Sequence, residues 1–315
     1  MGQTAVRLFE PAAPTLSTAS SRFLSACRAR NLSPRTQDYY RYRLAAFARF
    51  LACPVEVAKI SPAQIRDFLE SEIERHSAGT AAHSYIALSA FFAHLVREEL
   101  LDSNPMRLIV KPKRRRTVIQ TFSTAQAKSL IDTCGRDWYG VRDRAILLTL
   151  LDTGLRASEC CGLALADVSL EDQTFRVTGK GDRERVVPFG ESVRSALGCY
   201  LARRSGVSSA ALFTNHYGEQ LTRYGLRGMV VRRSRAAGIT GVRLSPHTLR
   251  HTCAVFYLRA GGDAFSLQKL LGHEDLTMTR RYCELADSDV CDQHRLHSPA
   301  DALAPKAKTG RRRLR

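Results

Sequence analysis

Residues 244–251 read Leu-Ser-Pro-His-Thr-Leu-Arg-His. Ser245 is suited to cap a helix and Pro246 to occupy its first position, because that position needs no free N–H. His247 and Arg250 would then lie three residues apart on one face, close to the helix N-terminus. This end of a helix attracts anions, so the pair predicts a phosphate-binding group, with a structural histidine satisfied inside the fold as the alternative.

A second informative segment covers residues 268–282 and reads Gln-Lys-Leu-Leu-Gly-His-Glu-Asp-Leu-Thr-Met-Thr-Arg-Arg-Tyr. Gly272 is suited to end a helix, His273 begins the following loop, and Tyr282 lies nine residues after that histidine. Taken alone, the histidine is more simply interpreted as a helix-end residue and the tyrosine as a half-buried packing residue. Together with the other motifs, His273 and Tyr282 become candidate catalytic residues.

Arg156 lies in a third motif, residues 152–159, which reads Asp-Thr-Gly-Leu-Arg-Ala-Ser-Glu. An apolar helical stretch precedes it, and Gly154 can end that helix in a left-handed conformation. Arg156 is thereby placed at a fixed helix junction, where it is either an ordinary surface group or a bidentate clamp for phosphate. Glu159, one turn later, is interpreted as a group that holds cationic side chains in place or as a plain surface carboxylate.

Residues 174–189 predict a β-hairpin. Strands at 174–178 and 184–189 flank the turn Gly-Lys-Gly-Asp at 179–182. Lys180 is therefore carried on a tight turn flanked by glycines. Because most of the remaining sequence has helical patterning, the predicted fold class is mainly α with a small β-sheet.

The composition indicates a nucleic-acid partner. The 315-residue chain carries 48 Lys and Arg against 30 Asp and Glu, which gives a net charge of +18 and a sequence pI near 10.0. Such a charge attracts polyanions, with an anionic membrane as the rival to DNA. An apolar run of about 18 residues and a signal-peptide pattern are both missing, so no membrane partner is expected. Nine cysteines without zinc-ligand spacing predict reduced thiols and a cytoplasmic protein.

Changes in patterning divide the chain into a helical first part and a mixed second part. Ser33 with Pro34, and the capping box of Ser61 and Gln64, predict helix starts in the first part, and Ser123 opens the second. The predicted limits are a flexible tail at 1–16, a helical domain at 17–105, a basic linker at 106–119, an α+β domain at 120–298 and a basic disordered tail at 299–315.

The linker is strongly basic and has no apolar face. We interpret it as a strap along the DNA backbone, with a solvated charge run or a localisation signal as the alternative. The residues predicted to contact DNA are Lys111, Lys113, Arg114, Arg115 and Arg116.

In their order along the chain, these motifs resemble the tyrosine recombinase, or phage-integrase, family, and most closely its Xer-like simple recombinases. The resemblance comprises the arginine motif, the hairpin lysine, the His-x-x-Arg pair, the Leu-Gly-His element and the last tyrosine. It implies that residues 17–105 form a helical core-binding (SAM-like) DNA-binding domain and that residues 120–298 form an α+β catalytic domain, which together make a clamp around DNA. The segment before the helical domain is too short for a separate arm-site-binding domain, so bridging of accessory sites is not expected.

The resemblance also implies a role for each residue. Tyr282 is the expected nucleophile, and a phenol of pKa about 10 needs a base and cationic surroundings to react near neutral pH. Arg156 and Arg250 would bind the phosphate oxygens, and His247 would accept the tyrosine proton. Lys180 would protonate the departing 5′ oxygen, and His273 would hydrogen-bond the phosphate. Glu159 would hold the cationic side chains in place.

The implied activity is cleavage and rejoining of DNA through a 3′-phosphotyrosine, for integration or excision of a mobile element or for resolution of replicon dimers. Neither metal nor other cofactor is expected, because the arginines would supply the stabilising charge. The expected partners are double-stranded DNA and either further copies of the chain, which would form a tetramer on DNA, or a second recombinase. The expected location is the nucleoid in the cytoplasm. The alternatives are a type IB topoisomerase-like relaxing enzyme and a catalytically silent DNA-binding regulator of the same fold.

Overall fold

The computed structural model describes residues 14–52, 54–113, 118–179, 184–204, 206–273 and 275–286, together with residues 294, 298 and 300. The chain divides into two compact units, residues 1–117 and 118–315. Met106 and Ile109, which the sequence assigned to the linker, are buried in the core of the first unit. Within the described ranges, none of the helices is both long and apolar enough to cross a membrane.

The first unit is helical. Ser33 caps its second helix and Pro34 takes that helix's first position, as predicted. Ser61 and Gln64 form the predicted capping box at the start of the third. The aromatic residues Phe23 and Phe91 meet edge to face in the core, with ring centroids 5.7 Å apart. The helices are α1 (Leu16–Ala29), α2 (Pro34–Leu51), α3 (Pro62–Arg75) and α4 (Ala78–Arg97).

The second unit combines helices with a small antiparallel sheet, which confirms the predicted fold class. Ser123 starts its first helix as predicted, and Gln126 completes a capping box with it. The helices are α5 (Thr124–Asp132), α6 (Trp138–Thr153), α7 (Ala157–Gly162), α8 (Glu191–Arg203), α9 (Arg223–Ala236), α10 (Pro246–Arg259), α11 (Ala264–Leu271) and α12 (Leu276–Ala286).

The sheet has the strand order β1 (Val168–Ser169), β2 (Thr174–Thr178) and β3 (Glu184–Pro188). Strands β2 and β3 form the predicted hairpin, with Val177 opposite Arg185. Phe175 and Val187 point into the unit's core. Lys180, which the sequence predicts on the turn between these strands, lies outside the described residues.

Two glycine helix ends and one helix start bring the site together. Gly154 ends α6 with φ 60° and Gly272 ends α11 with φ 64°, conformations that most other residues avoid. A Cβ on Gly154 would also lie 2.5 Å from the Leu271 side chain, so the close contact of these two ends requires glycine. Ser245 and Pro246 start α10 as predicted, and α10 packs against α6, α11 and α12.

Candidate active site

Arg250 lies in the first turns of α10 and is 2% exposed. Its guanidinium donates to the Gly154 carbonyl at 2.6 Å and to the Leu271 carbonyl at 2.9 Å. A guanidinium has five N–H donors, so further donors remain for an anion. Burial, followed by the charge of Arg156, lowers the pKa of Arg250 to about 10. The group therefore remains positively charged at neutral pH.

Arg156 stands at the N-terminus of α7, where Glu159 accepts hydrogen bonds from both its main chain and its side chain. The Arg156 backbone N–H and its Nη1 each donate to the Glu159 carboxylate at 2.8 Å. Its Nη2 donates to the Gly272 carbonyl at 3.0 Å. The side chain is 39% exposed, so Arg156 is both anchored and open to a ligand from solvent.

Tyr282 lies on α12 and is 1% exposed, packed among Ala254, Val255, Leu267 and Leu271. Its hydroxyl lies 2.6 Å from Nδ1 of His251, the residue that follows Arg250 in α10. Burial raises the pKa of Tyr282, although the charge of Arg250 opposes that effect. In the DNA-free protein the phenol is therefore protonated and hydrogen-bonded to His251.

Two histidines contact this phenol, and a third packs against one of them. The rings of His247 and His251 lie 4.4 Å apart between centroids, and the His273 ring is stacked on Tyr282 at 6.2 Å. His273 also bonds the Thr279 hydroxyl at 3.1 Å. Burial, then the charges of His247 and Arg250, lower the pKa of His251 to about 4. Burial and then Arg250 lower that of His273 to about 4.

His247 is exposed at the rim of the site. Partial desolvation of its ring, followed by the charge of Arg250, lowers its pKa below the ordinary value. All three histidines are therefore neutral at pH 7, while both arginines carry charge. A neutral imidazole next to a phenol can accept its proton, which a charged one cannot.

We expect the DNA-free protein to lose stability as the pH falls from about 6.5 towards 4. His251 and His273 have pKa values of about 4 in the folded chain, below the ordinary 6.5. The unfolded chain therefore binds more protons in this interval, and protonation favours unfolding; above about pH 6.5 the effect disappears because both states are neutral.

Melting temperatures at about pH 7.5 and about pH 5 would measure this effect. The double variant His251→Asn/His273→Asn should lose less stability between the two pH values than the wild type. His216→Asn, which changes an exposed histidine outside the site, is the matched control and should behave as the wild type. Equal losses in the wild type and the double variant would contradict the expectation.

The structure brings half of the predicted residues together and leaves others outside the described ranges. Arg156, Glu159, His247, Arg250, His273 and Tyr282 meet where α6, α7, α10, α11 and α12 converge. Lys111 and Lys113 are described and exposed. The predicted residues outside the described ranges are Lys180, Arg114, Arg115 and Arg116.

Two residues of the site were missed from the sequence. His251, and not the predicted His247, is the imidazole bonded to Tyr282. It stands four residues after His247 on a helix, and this spacing on one face was a usable signal. Arg185 of β3 binds both oxygens of Glu159 at 3.0 Å, a contact between residues far apart in sequence for which no local signal exists.

This set of side chains defines a class of chemistry. Two fixed guanidinium groups suit the non-bridging oxygens of a phosphodiester, and a tyrosine hydroxyl among neutral histidines suits nucleophilic attack. Among the residues that the structure describes, no group of three or more His, Cys, Asp or Glu side chains is arranged to hold a metal ion. These features together suit a phosphoryl-transfer enzyme in which a tyrosine acts as the nucleophile.

Comparison with known proteins identifies the family. The phage integrase family model matches residues 120–289, and the model for the phage integrase N-terminal SAM-like domain matches residues 20–102. Tyrosine recombinase XerC of Pelobacter propionicus is 36% identical over 290 residues, covering 89% of this chain and 92% of the relative. Tyrosine recombinase XerD of Yersinia pestis is 34% identical over 278 residues, covering 86% and 93%.

Solved structures share the fold. A lambda integrase fragment bound as a dimer to a COC' core site has a TM-score of 0.72 at 20% identity, covering 84% of this chain and 97% of the fragment. The recombinase XerH bound to a palindromic difH substrate has a TM-score of 0.71 at 23% identity, covering 90% and 85%. The chain belongs to the phage integrase family and is a tyrosine recombinase, a site-specific DNA recombinase. These relatives do not favour the topoisomerase or the silent regulator.

Proposed function

We propose that Tyr282 attacks the scissile phosphate of a specific DNA site and forms a 3′-phosphotyrosine bond, which a 5′ hydroxyl of a partner strand then reverses. The observation that supports this assignment is the Tyr282 hydroxyl, held 2.6 Å from His251 beside the buried Arg250. The exchange serves integration or excision of a mobile element or resolution of replicon dimers. The phosphotyrosine bond conserves the energy of the broken bond, so no nucleotide is consumed.

Arg156 and Arg250 would stabilise the pentavalent transition state. Negative charge is concentrated on the non-bridging oxygens at that stage, and fixed donors aimed at them stabilise it without reorganising. Arg250 already binds the Gly154 and Leu271 carbonyls, and Arg156 binds the neighbouring Gly272 carbonyl, so both side chains are fixed at the ends of α6 and α11, which supports a preformed anion site. His273, stacked on Tyr282, would donate a further hydrogen bond to the phosphate.

Each half-reaction moves two protons. The phenol oxygen bonds to phosphorus while the bond to the 5′ oxygen breaks; an imidazole takes the phenol proton, and Lys180 gives a proton to the 5′ oxygen. His247 was the acceptor expected from the sequence, whereas the observed hydrogen bond favours His251. A bound phosphate would offset the Arg250 charge that lowers the pKa of His251 and so would make His251 a stronger base.

We therefore expect His251→Ala to slow cleavage about 10²-fold, the lower end of the range for general-base catalysis. His247→Ala, four residues earlier on the same helix, is the matched comparison and should slow cleavage less. Single-turnover rates on saturating DNA would measure both losses. A larger loss in the His247 variant would return the role of proton acceptor to His247.

The DNA is expected to contact both units and the basic segment between them. Lys111, Lys113, Arg114, Arg115 and Arg116 would neutralise backbone phosphates, which makes binding dependent on salt. Two recombining sites require four bound protomers, so we propose a tetramer on DNA, built from this chain alone or with a second recombinase. The lambda integrase dimer on its core site supports such self-association. The proposed location is the nucleoid in the cytoplasm.

Covalent trapping tests the proposal and locates the DNA site in the same experiment. The full-length protein is incubated in EDTA with fragmented, lightly nicked genomic DNA of its source. A nick beside the site lets a short strand diffuse away after cleavage, so the covalent adduct cannot be reversed. SDS-resistant adducts are then sequenced. Adducts clustered at a few positions would support a site-specific recombinase; adducts spread over random sequence, or none at all, would contradict it. A synthetic nicked duplex carrying a trapped position is called the trapped duplex below.

A further inference from the structure

Glu159 is a buried carboxylate shared between two arginines. It is 7% exposed and accepts hydrogen bonds from the backbone and the Nη1 of Arg156, both at 2.8 Å. Arg185 binds the other side of the carboxylate, with Nη1 and Nη2 each 3.0 Å from one oxygen. These four donors match the roughly four acceptor positions of a carboxylate, so Glu159 is fully satisfied.

Arg185 reaches this carboxylate from strand β3. Its Nε lies 3.4 Å from the Leu270 carbonyl oxygen, and a Cβ on Gly272 would lie 3.0 Å from its guanidinium carbon. The guanidinium therefore packs directly against Gly272, the glycine that ends α11. Arg156 donates to the carbonyl of that same glycine, so both arginines are fixed against one helix end and one carboxylate.

We propose that Arg185 is a positioning residue for Arg156, which it makes available to the scissile phosphate by neutralising Glu159. This inference rests on the proposed role of Arg156. An unpaired carboxylate beside Arg156 would compete with the phosphate for the same guanidinium and would repel the phosphate itself. A bidentate arginine satisfies that carboxylate, and a lysine, a point charge with no fork, does so only in part.

The test uses the full-length protein and the trapped duplex. Arg185→Met removes the positive charge and the two N–H donors that bind Glu159 but keeps an apolar side chain. We expect it to slow single-turnover cleavage at saturating DNA about tenfold to a hundredfold, since one charge-assisted interaction is lost. The dissociation constant for DNA should stay within about threefold, because Arg185 would act through Glu159 and Arg156 and not on the phosphate directly. Arg185→Lys should recover part of the rate, and it also serves as the test protein if Arg185→Met fails to fold.

A second substrate separates positioning from a general loss of structure. A methylphosphonate at the scissile position replaces one charged oxygen by a methyl group, so the reaction depends less on the arginines. The losses caused by Arg156→Met and by Arg185→Met should both shrink on this substrate. Adding Arg185→Met to Arg156→Met should cause little further loss there, because one residue acts through the other.

Arg176 offers the matched control on the same hairpin. It is paired with Asp167 at 3.9 Å and is 58% exposed, and Arg176→Met should cleave both substrates as the wild type does. An Arg185→Met protein with wild-type rates, with equal losses on both substrates, or with a loss that adds fully to that of Arg156→Met would overturn the inference. A wild-type protein that cleaves no duplex would instead contradict the proposed function itself.

Discussion

A Tyr282→Phe protein is expected to bind the trapped duplex as the wild type does and to form no covalent adduct with it. The substitution removes the proposed nucleophilic oxygen, and loss of a nucleophile lowers covalent catalysis on the order of 10⁶-fold, here to below detection. The ring itself stays packed among Val255, Leu267 and Leu271. Only the hydrogen bond to His251 is lost, so the free energy of unfolding should change by about 1 kcal/mol.

An SDS gel of the protein with end-labelled trapped duplex would measure adduct formation, and a filter-binding or fluorescence titration would measure the affinity for DNA. Tyr257→Phe is the matched control. It removes a hydroxyl from the neighbouring helix α10, bonded to Ser266 at 2.8 Å, and should leave the adduct in place. An adduct that persists in Tyr282→Phe and maps to another tyrosine would disprove the assignment of the nucleophile.

Helix ends were the part of this fold that the sequence predicted well. Ser245 with Pro246 and the glycines Gly154 and Gly272 stand where predicted, because a cap and a left-handed residue are requirements of a few neighbouring residues. Since Arg156, His247 and His273 are each within three residues of such an end, their positions along the helices were predictable as well.

The partners of these residues could not be predicted in the same way. The carbonyl oxygens bonded to Arg250 belong to residues 96 positions earlier and 21 positions later in the chain, so tertiary packing decides them. The same holds for Arg185 and Glu159, 26 residues apart. A role for Glu159 beside cationic groups was expected, but its second arginine was not. Whether His247 or His251 meets the Tyr282 hydroxyl depends on how α12 is rotated against α10, and helical periodicity does not specify that rotation.

Arg250→Lys is the second change with a large expected effect. The lysine keeps a positive charge near the site but offers one ammonium in place of a planar fork, so it cannot bind the Gly154 and Leu271 carbonyls and also reach the phosphate. Loss of a fixed donor to the transition state costs about 10²- to 10³-fold in rate, and we expect cleavage of the trapped duplex to slow by that factor. Single-turnover rates would measure it. Arg259→Lys, on the exposed end of the same helix, is the matched control and should cleave at the wild-type rate.

Comparison with Arg156→Lys separates the two contributions of Arg250, to structure and to chemistry. Arg250 is buried, so Arg250→Lys leaves backbone carbonyls poorly satisfied and should lower the free energy of unfolding by about 1–3 kcal/mol. Arg156 is 39% exposed, and its lysine variant should lose much less stability. Both variants should nevertheless lose cleavage to a similar degree, because both guanidinium groups would contact the same phosphate. A loss of cleavage that followed the loss of stability, severe in the Arg250 variant and absent in the Arg156 variant, would show that Arg250 is structural.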